Sequence, residues 1–475
     1  MKGLITIMIF FAAIMTSSAQ SLGYQDLGVL FSQNDNIGSA RFIAMSGAFG
    51  ALGGDISAIN VNPAGISVFN NSYFSGTFNS RNSETAASYG DADYNDRKTL
   101  TSNNNFLQLS HAGAVFVFDS AYETTWSKFA IAFNYRITKD FSGNFLAEGN
   151  EAVTRFDTNP FDLNDPKTLY DYTAGQFFET NFGGEITELN IAFSAVHQKK
   201  LHVGFALNFY DLNFSQQSFL TEFNSDENGN KLDVELYQEN FTTGAGISAN
   251  GGFIYKAHPN FRFGLAYQTP TWYTEISQDT NYNQDSSIDF GETTFFPEGE
   301  EPLSESNNRQ LIDYSIRTPG KLTASAAFIF GKKGLLSFDY SNKNYKNIKL
   351  FNGNFTPENQ FFKNQLRNTH ALNIGTEWRI DKFSIRGGYK FEQSPHKSPI
   401  DLNDFKQSGS VIASDNLKGY SFGGGYNFGN FKLDFAYSNN NRTSLYNIYQ
   451  QFPEVDPIEL QIDNRIFTTT VTINL

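Results

Sequence analysis

From about Ser72 to the last residue, apolar and polar residues alternate one by one along many short segments of the chain. Two clear apolar sets are Phe129, Ile131, Phe133, Tyr135 and Leu201, Val203, Phe205, Leu207, Phe209. A period of two places one set on each face of a β-strand. One face is rich in Phe, Tyr and Leu, and the other carries Asn, Ser, Gly, Lys and His. This pattern is typical of a transmembrane β-barrel with lipid outside and water inside.

The alternating segments predict about fourteen strands, an even number as single-chain bacterial barrels have. Tight turns and long polar loops connect them alternately, which places the turns and both chain ends on the periplasmic side and the loops outside. A soluble β-sandwich is the alternative, but it gives no reason for this regular alternation. The predicted strands are 70–79, 104–117, 127–136, 185–197, 201–213, 242–256, 261–271, 310–330, 334–342, 369–380, 382–392, 418–428, 430–438 and 465–475.

The first residues predict export. Lys2 precedes an apolar stretch from Leu4 to Met15, and Ser17-Ser18-Ala19 form a small-residue cleavage site. The apolar stretch is shorter than the ~20 residues of a membrane-spanning helix. The domains that we predict are a signal peptide over 1–19, an N-terminal hatch or plug over 20–68, and a transmembrane barrel over 69–475.

Composition narrows the function classes. The net charge is -14 and the pI is near 4.9, which argues against nucleic acid as a partner. The chain has 0 cysteines, so thiolate metal sites and a lipidated cysteine are excluded. Aromatic residues make up 16% of the chain, with 49 Phe and 23 Tyr, as expected for a lipid-facing wall with interfacial girdles.

Between the signal and the first strand lies a segment that does not alternate. Residues 41–67 contain closely spaced glycines, and glycine permits left-handed turns and close contact between backbones. Pro63 fixes its own φ and pushes Asn62 toward an extended conformation. We expect a compact, irregular element with helical turns, of a size that fits inside the barrel lumen.

The order of residues in this segment carries a family resemblance. A glycine-rich stretch, then Asp55-Ile56-Ser57-Ala58, then Asn62-Pro63-Ala64-Gly65 and an aromatic strand resembles the long-chain fatty acid transporter family of outer membranes. The resemblance implies a fourteen-stranded barrel with a hatch that carries an Asn-Pro-Ala motif. It also implies passive uptake of hydrophobic compounds such as long-chain fatty acids, with release by a hatch movement and a lateral opening in the wall. The implied hatch and gating residues are Gly47, Gly53, Gly54, Asp55, Asn62, Pro63, Ala64 and Gly65.

Asn62 has two interpretations. In the functional one, its amide joins hatch to wall by a hydrogen bond that breaks when the hatch shifts. In the structural one, Asn-Pro is a turn former.

Adjacent phenylalanine pairs in the predicted loops are candidates for ligand capture, because exposed aromatic groups collect apolar molecules. The alternative is that they pack a small loop core or a girdle. The pairs are Phe177 and Phe178, Phe295 and Phe296, and Phe361 and Phe362.

Other partners and chemistries follow from smaller signals. The last strand, 465–475, resembles the signal read by barrel-assembly machinery, although it ends in Leu475 rather than an aromatic residue. A scaffold barrel of a protein-secretion system, with the acidic loop 272–309 as a docking surface, and a haem-binding receptor are alternatives. Asn224 to Glu235 has the spacing of a calcium loop but begins with Asn. We predict no enzyme, no cofactor and no metal site.

Overall fold

The computed structural model describes residues 21–90, 97–119, 125–161, 168–281, 291–305, 309–397, 405–406, 408, 410–449 and 455–475. Its strands form one antiparallel sheet in which the last strand pairs with the first, so the sheet closes into a barrel. Fourteen strands make up the wall, because several of the strand segments are successive pieces of one strand. The predicted all-β barrel with an even strand count is confirmed. The predicted signal peptide lies outside the described residues.

The bounds of the elements are as follows. The strand segments are β1 Tyr73–Tyr89, β2 Lys98–Asp119, β3 Trp126–Asp140, β4 Gly143–Gly149, β5 Tyr172–His197, β6 Leu201–Ser225, β7 Lys231–His258, β8 Phe261–Gln268, β9 Trp272–Thr280, β10 Glu292–Pro297, β11 Leu303–Glu305, β12 Gln310–Arg317, β13 Lys321–Phe330, β14 Gly334–Asn344, β15 Lys349–Phe351, β16 Asn368–Ile380, β17 Phe383–Glu392, β18 Ile412–Ser414, β19 Leu417–Asn427, β20 Phe431–Tyr446 and β21 Ile458–Asn474. The helices are α1 Tyr24–Leu30, α2 Ala40–Ala44 and α3 Thr356–Gln365, with 3₁₀ helices at Ile56–Asn60, Pro63–Val68 and Tyr345–Asn347. No helix in the described part of the chain is long and apolar enough to cross a membrane.

Two of the predicted strands are interrupted by proline. The predicted strand 261–271 ends as β8 before Pro270 and continues as β9, and 310–330 divides into β12 and β13 around Pro319. Proline has no N–H to donate to a neighbouring strand, so the ladder breaks where it occurs. Thr271 and Thr318 bridge the two breaks: the Thr318 amide donates to the Thr271 carbonyl at 2.9 Å, and the Thr271 amide donates to Thr318 Oγ1 at 3.0 Å.

Three strands are much longer than predicted, because the alternation continues beyond the membrane with its polarity inverted. In β6, Phe205, Leu207 and Phe209 face outward and are 37–49% exposed. Directly above them the next four outward residues, Asp211 to Gln217 at alternate positions, are polar, whereas Leu212 and Phe214 face inward and are fully buried. Of the two segments that the sequence predicts as loops, 214–241 therefore consists largely of strand above the membrane, and about half of 137–184 does.

Residues 21–68, called the hatch from here on, lie inside the barrel. Helix α2 contacts β17, β19, β20 and β21, whereas the 3₁₀ helix Pro63–Val68 contacts β3, β5, β6 and β7 on another arc of the wall. The 3₁₀ helix Ile56–Asn60 contacts β2 and β3. Helix α1 lies higher in the lumen, and its apolar side chains are buried in a cluster with those of the upper strands and of α3. The hatch therefore fills much of the cross-section of the lumen.

Glycines in the wall make room for the hatch. A Cβ on Gly204 of β6 would lie 2.3 Å from the Ala64 amide nitrogen, and one on Gly264 of β8 would lie 2.6 Å from the Gly50 carbonyl oxygen. A Cβ on Gly375 of β16 would lie 2.6 Å from the carbonyl oxygen of Met45. These contacts are with backbone, which cannot move aside as a flexible side chain can. The wall and the hatch are therefore fitted to each other at backbone distance.

The close fit between wall and hatch can be tested by adding a side chain at a wall glycine. Gly204→Ala should displace the hatch while leaving the barrel folded, because overpacking of this kind costs about 1–3 kcal/mol. Conductance of the purified protein in planar bilayers should rise, and the heat-dependent gel mobility of a folded barrel should persist. Gly251→Ala is the matched control, since a Cβ there meets nothing within 4 Å. Equal conductance of the two variants would contradict the prediction.

Candidate functional site

The Asn62 side chain connects the hatch to the wall. Its Nδ2 donates to the Gly50 carbonyl at 2.8 Å and to the Phe253 carbonyl of β7 at 3.0 Å. Its Oδ1 accepts from the Ala64 amide at 3.2 Å and so caps the 3₁₀ helix that begins at Pro63. The hydrogen bond between hatch and wall that the functional interpretation requires is present, together with the turn of the structural interpretation. Whether the bond breaks during transport stays a prediction.

The other predicted hatch residues form the turns around Asn62. Gly47, Gly53 and Gly54 have φ values of 79°, 60° and 67°, a left-handed region that glycine enters without strain. The Gly54 amide donates to the Gly65 carbonyl at 3.0 Å, and a Cβ on Gly65 would lie 2.9 Å from Gly53 Cα. The predicted contact of backbone on backbone is therefore made between these two stretches of the hatch.

Asp55 holds the lower turn of the hatch. Its carboxylate accepts from the Ser57 amide at 3.0 Å, which caps the 3₁₀ helix Ile56–Asn60, and from Ser39 Oγ at 2.8 and 2.9 Å. Ser39 in turn caps α2 by accepting from the Phe42 amide at 3.1 Å. One carboxylate thus ties together the starts of two helical segments.

An ion-pair network fixes α2 to the wall near the periplasmic end. Arg41 Nε contacts Glu377 Oε2 at 2.6 Å, and Arg386 Nε contacts the same oxygen at 2.8 Å. Arg386 also reaches Asp434 Oδ1 at 2.6 Å, and Arg41 donates to the Gly54 carbonyl at 2.8 Å. No local sequence pattern marks this network, because its members come from distant parts of the chain.

The backbone ladder of the wall is interrupted along one seam, the boundary between β2 and the combined strand β3–β4, and the unpaired part is called the open part of the seam. Residues 111–119 of β2 pair with residues 128–136 of β3. Above them β3 bends inward, and β4 continues beside β5, where Gly143 to Gly149 pair with Phe182 to Gln176. Along residues 98–110, β2 therefore pairs with β1 on one edge and, among the described residues, with no strand on its other edge. The seam is thus closed in its lower part and open in its upper part.

Polar side chains span the open part of the seam. Gln108 Nε2 of β2 donates to Asp140 Oδ2 at 3.1 Å, and Asn104 contacts Asn144. Arg81 of β1 forms an ion pair with Asp140 at 3.1 Å. On the lipid side of the same stretch of β2, Leu107 is 77% exposed. The opening therefore lies next to the lipid-facing surface and is bridged by side chains rather than by a backbone ladder.

The hatch contacts the inward bend of β3 through Asp35. Its amide donates to the Thr138 carbonyl at 2.7 Å, and its carboxylate accepts from Lys139 Nζ at 2.9 Å and from the Asp140 amide at 3.1 Å. Desolvation raises the pKa of Asp35, but the charge of Lys139 and the hydrogen bonds outweigh it, so the pKa lies below its ordinary value. Asp35 is therefore ionised at neutral pH, and the hatch and the bend are held as one unit.

A cavity of about 250 Å³ lies between the hatch and the open part of the seam. Its apolar lining comes from the hatch, the β3–β4 bend and the strands β5 and β18–β21. Its charged lining consists of Arg81, Lys139, Lys390 and Arg442 against Asp35, Asp140 and Glu392. A pocket that combines an apolar lining with charged groups from the hatch, β1, β3, β17 and β20 suits a small hydrophobic or amphipathic molecule.

An apolar cluster above this cavity contains half of the predicted capture residues. Phe178, Phe295 and Phe362 are buried there, whereas Phe177, Phe296 and Phe361 are half-buried. The six residues belong to β5, β10 and α3 rather than to irregular loops. The structure does not bring all six together into one exposed surface, and their role in capturing a ligand stays a prediction.

Helix α1 occupies the same cluster. Tyr24 packs edge to face against Tyr314 and Phe355, with ring centroids 5.3 and 5.0 Å apart. Asp26 anchors the helix by accepting from the amides of Val411 and Ile412 at 3.2 and 3.4 Å. Desolvation raises the pKa of Asp26 to about 6. Because the docked form binds the proton more tightly, docking of α1 gains stability as the pH falls through about 6.

Sequence reasoning missed the wall glycines, Asp35 and the seam. The glycines at lumen-facing strand positions, such as Gly204 and Gly264, could have indicated that another backbone approaches the wall closely. No local signal marks the bend of β3, because residues 137–149 follow the predicted strand 127–136 and are predicted as the start of a loop.

Comparison with known proteins gives the fold independently. Neither a family model nor a curated protein sequence matches the chain. A crystal structure of a Pseudomonas aeruginosa FadL homologue is similar with a TM-score of 0.56 and 13% identity, over 93% of this chain and 99% of that one. The Pseudomonas putida toluene transporter TodX matches with a TM-score of 0.53 and 12% identity, over 93% and 99% of the two chains. CymD, a monoaromatic hydrocarbon channel, matches with a TM-score of 0.51 and 11% identity, over 92% and 97%. The chain thus has, over nearly its whole length, the fold of the FadL-type outer-membrane channels that the hatch motif resembles.

Proposed function

We propose that this protein is an outer-membrane channel for the passive uptake of hydrophobic compounds such as long-chain fatty acids, gated by its hatch. The observation that carries the proposal is the upper part of the β2–β3 seam, where the backbone ladder is missing and an apolar cavity inside the barrel lies directly behind the seam. A closed water-filled pore offers a hydrophobic solute no such route.

The path begins at the extracellular apolar cluster. Exposed and half-buried aromatic residues at its edge, Phe161 and Phe361 among them, offer a first contact for an apolar molecule. Displacement of α1 makes room for the molecule, which then enters the cavity beside Phe145 and Phe182. The open part of the seam releases it sideways past Leu107 into the membrane.

The charged lining of the cavity favours an amphipathic cargo. Four basic side chains face three carboxylates there, and Arg442 hydrogen-bonds to Gln33 at 3.3 Å rather than to a carboxylate. A fatty acid carboxylate complements that excess of positive charge, while its chain lies against the apolar lining. Of the similar structures, TodX is described as a toluene transporter and CymD as a monoaromatic hydrocarbon channel. A neutral aromatic cargo is therefore the second candidate within the same proposal.

Hatch gating rests on two contacts. Asn62 holds the hatch to β7, and Asp35 holds it to the bend that forms the edge of the open seam. A hatch that moves therefore pulls on the β3 bend, so the width of the opening and the position of the hatch change together.

The two alternatives from the sequence receive no comparable support. His111 and His202 lie against hatch serines Ser57 and Ser67 inside the lumen, and His396, just beyond β17, is buried rather than presented to a haem. No group of three or more His, Cys, Asp or Glu in the described residues is placed to hold a metal ion. Of the acidic segment predicted as a docking surface, residues 282–290 and 306–308 lie outside the described part, and the scaffold role stays a prediction.

The first test is the bound ligand. Protein isolated into polymer nanodiscs without detergent should retain fatty acid or another apolar compound, which mass spectrometry of solvent extracts would detect. An unrelated barrel from the same membrane is the control. Identical extracts from the two proteins would count against a hydrophobic cargo.

A cross-link tests the exit. Because the chain has 0 native cysteines, Asn104→Cys with Asn144→Cys can be joined across the open seam by a short reducible bis-thiol reagent. Uptake of a fluorescent fatty acid by cells should fall to the level of cells that lack the protein, and should recover on reduction. Phe116→Cys with Ile131→Cys, direct partners in the closed part of the seam, is the matched control. Undiminished uptake with the upper link in place would show that cargo leaves by another route.

Asn62→Ala tests the gate. The substitution leaves the Gly50 and Phe253 carbonyls without their donor, which costs about 1–3 kcal/mol of hatch docking. Hydrogen exchange of the hatch amides should accelerate, and cargo uptake should change with it. Asn71→Ala, at an exposed asparagine just beyond the hatch, serves as control. Altered uptake with unaltered exchange would assign Asn62 a role other than gating.

A further inference from the structure

The periplasmic end of the barrel carries a concentration of positive charge that passive uptake does not explain. The strand-connecting turns at this end, together with the three strand residues on either side of each turn, contain ten of the 35 Lys and Arg but only three of the 49 Asp and Glu. The basic residues are Lys128, Lys199, Lys200, Lys256, Arg262, Lys332, Lys333, Arg379, Lys382 and Lys432. The rest of this acidic chain is correspondingly more negative.

Most of this charge is not neutralised within the protein. Arg379 pairs with Glu377 at 2.7 Å. The other nine have no carboxylate within 4.0 Å in the described part of the chain. Lys128 and Arg262 donate instead to hatch or near-hatch carbonyls, those of Phe69 at 2.8 Å and Leu52 at 3.1 Å. The charges are therefore available to a partner in the periplasm.

The period of two decides which way these residues face. Phe263, Trp378 and Phe431 are 39–47% exposed on the lipid side, and the residue adjacent to each of them in its strand faces the lumen. Arg262, Arg379 and Lys432 occupy those positions and line an open vestibule of about 650 Å³ below the hatch, together with Lys332 and Lys382. Aromatic side chains thus face the membrane, and basic side chains face the periplasmic mouth. This arrangement fits a soluble anionic partner better than lipid headgroups.

The distribution of the charges fits a large partner. The vestibule lining contains seven basic residues and four carboxylates, which come from the hatch and from the strands and turns between β8 and β20. Lys128, Lys199, Lys200 and Lys256 extend the positive charge around the mouth to the ends of β3 and β5–β7. A single small anion needs donors that converge on one point, whereas a ring of separated charges complements an extended acidic surface. We propose that the periplasmic mouth is a docking site for a carboxylate-rich segment of a periplasmic protein. The hatch closes the vestibule from above, so the partner binds without entering the cargo path.

A labelled peptide tests the docking site. Fluorescein-labelled decaglutamate should bind the full-length protein in phosphatidylcholine nanodiscs, and binding should weaken as the salt concentration rises. The combined variant Lys332→Gln, Lys333→Gln, Lys382→Gln, Lys432→Gln should bind the peptide about tenfold more weakly, since each lost charge pair contributes a modest amount. Folding of each variant is checked by heat-dependent gel mobility.

The matched control removes four exposed lysines from the opposite end: Lys231→Gln, Lys346→Gln, Lys349→Gln, Lys363→Gln. This variant has the same net charge and should bind the peptide as the wild type does. Equal weakening in both variants overturns the proposal, as does failure of the wild type to bind. In nanodiscs with phosphatidylglycerol, loss of retained anionic lipid from the periplasmic variant, with peptide binding unchanged, would assign the charges to lipid and also overturn it.

Discussion

Every backbone amide and carbonyl within the hydrocarbon of a membrane must be hydrogen-bonded inside the protein, and this constraint shapes the whole molecule. It is the reason for a closed sheet in which β21 pairs with β1. It also makes the β2–β3 seam conspicuous, because part of the β2 edge there lacks a second strand among the described residues. Such an edge is tolerated only where it borders protein or a polar cavity. The Gln108–Asp140 and Asn104–Asn144 contacts and the cavity behind them meet that condition.

The same constraint explains how much of the fold could be predicted. Strands that face lipid must show apolar residues at every second position, so β3, β6 and the last strand can be recognised from their sequences. The upper halves of β5, β6 and β7 could not be recognised in the same way, since their apolar face turns inward. Phe214 and Leu220 lie in a stretch that reads as a polar loop when only an outward apolar face is sought. Pro270 and Pro319 were visible in the sequence, but whether proline ends a strand or interrupts it depends on the pairing around it.

The candidate site was less predictable than the wall. The Asn-Pro-Ala motif pointed to Asn62, because a turn of this kind is local and depends on few residues. Asp35, by contrast, meets Lys139 and Asp140 only through the folding of the chain over more than a hundred residues. The phenylalanine pairs show the limit of reasoning from composition. Adjacent residues in a strand face opposite sides, so Phe178 is buried while Phe177 is not. A pair in sequence is therefore not a pair in space.

The inversion of polarity along β6 has a consequence for how a hydrophobic molecule meets this wall. Just above the membrane, at Leu212 and Phe214, the apolar side chains of β6 face the lumen, and within the membrane they face the lipid. A molecule that stays on apolar surface throughout its descent must therefore change sides of the sheet at the membrane boundary. A continuous hydrogen-bonded sheet does not let a molecule pass from one face to the other. The break between β2 and β3 lies at the level where the apolar face of the sheet changes from outward to inward. The inner and outer apolar surfaces of the wall therefore meet at this seam, and the hatch is attached to the edge of the seam.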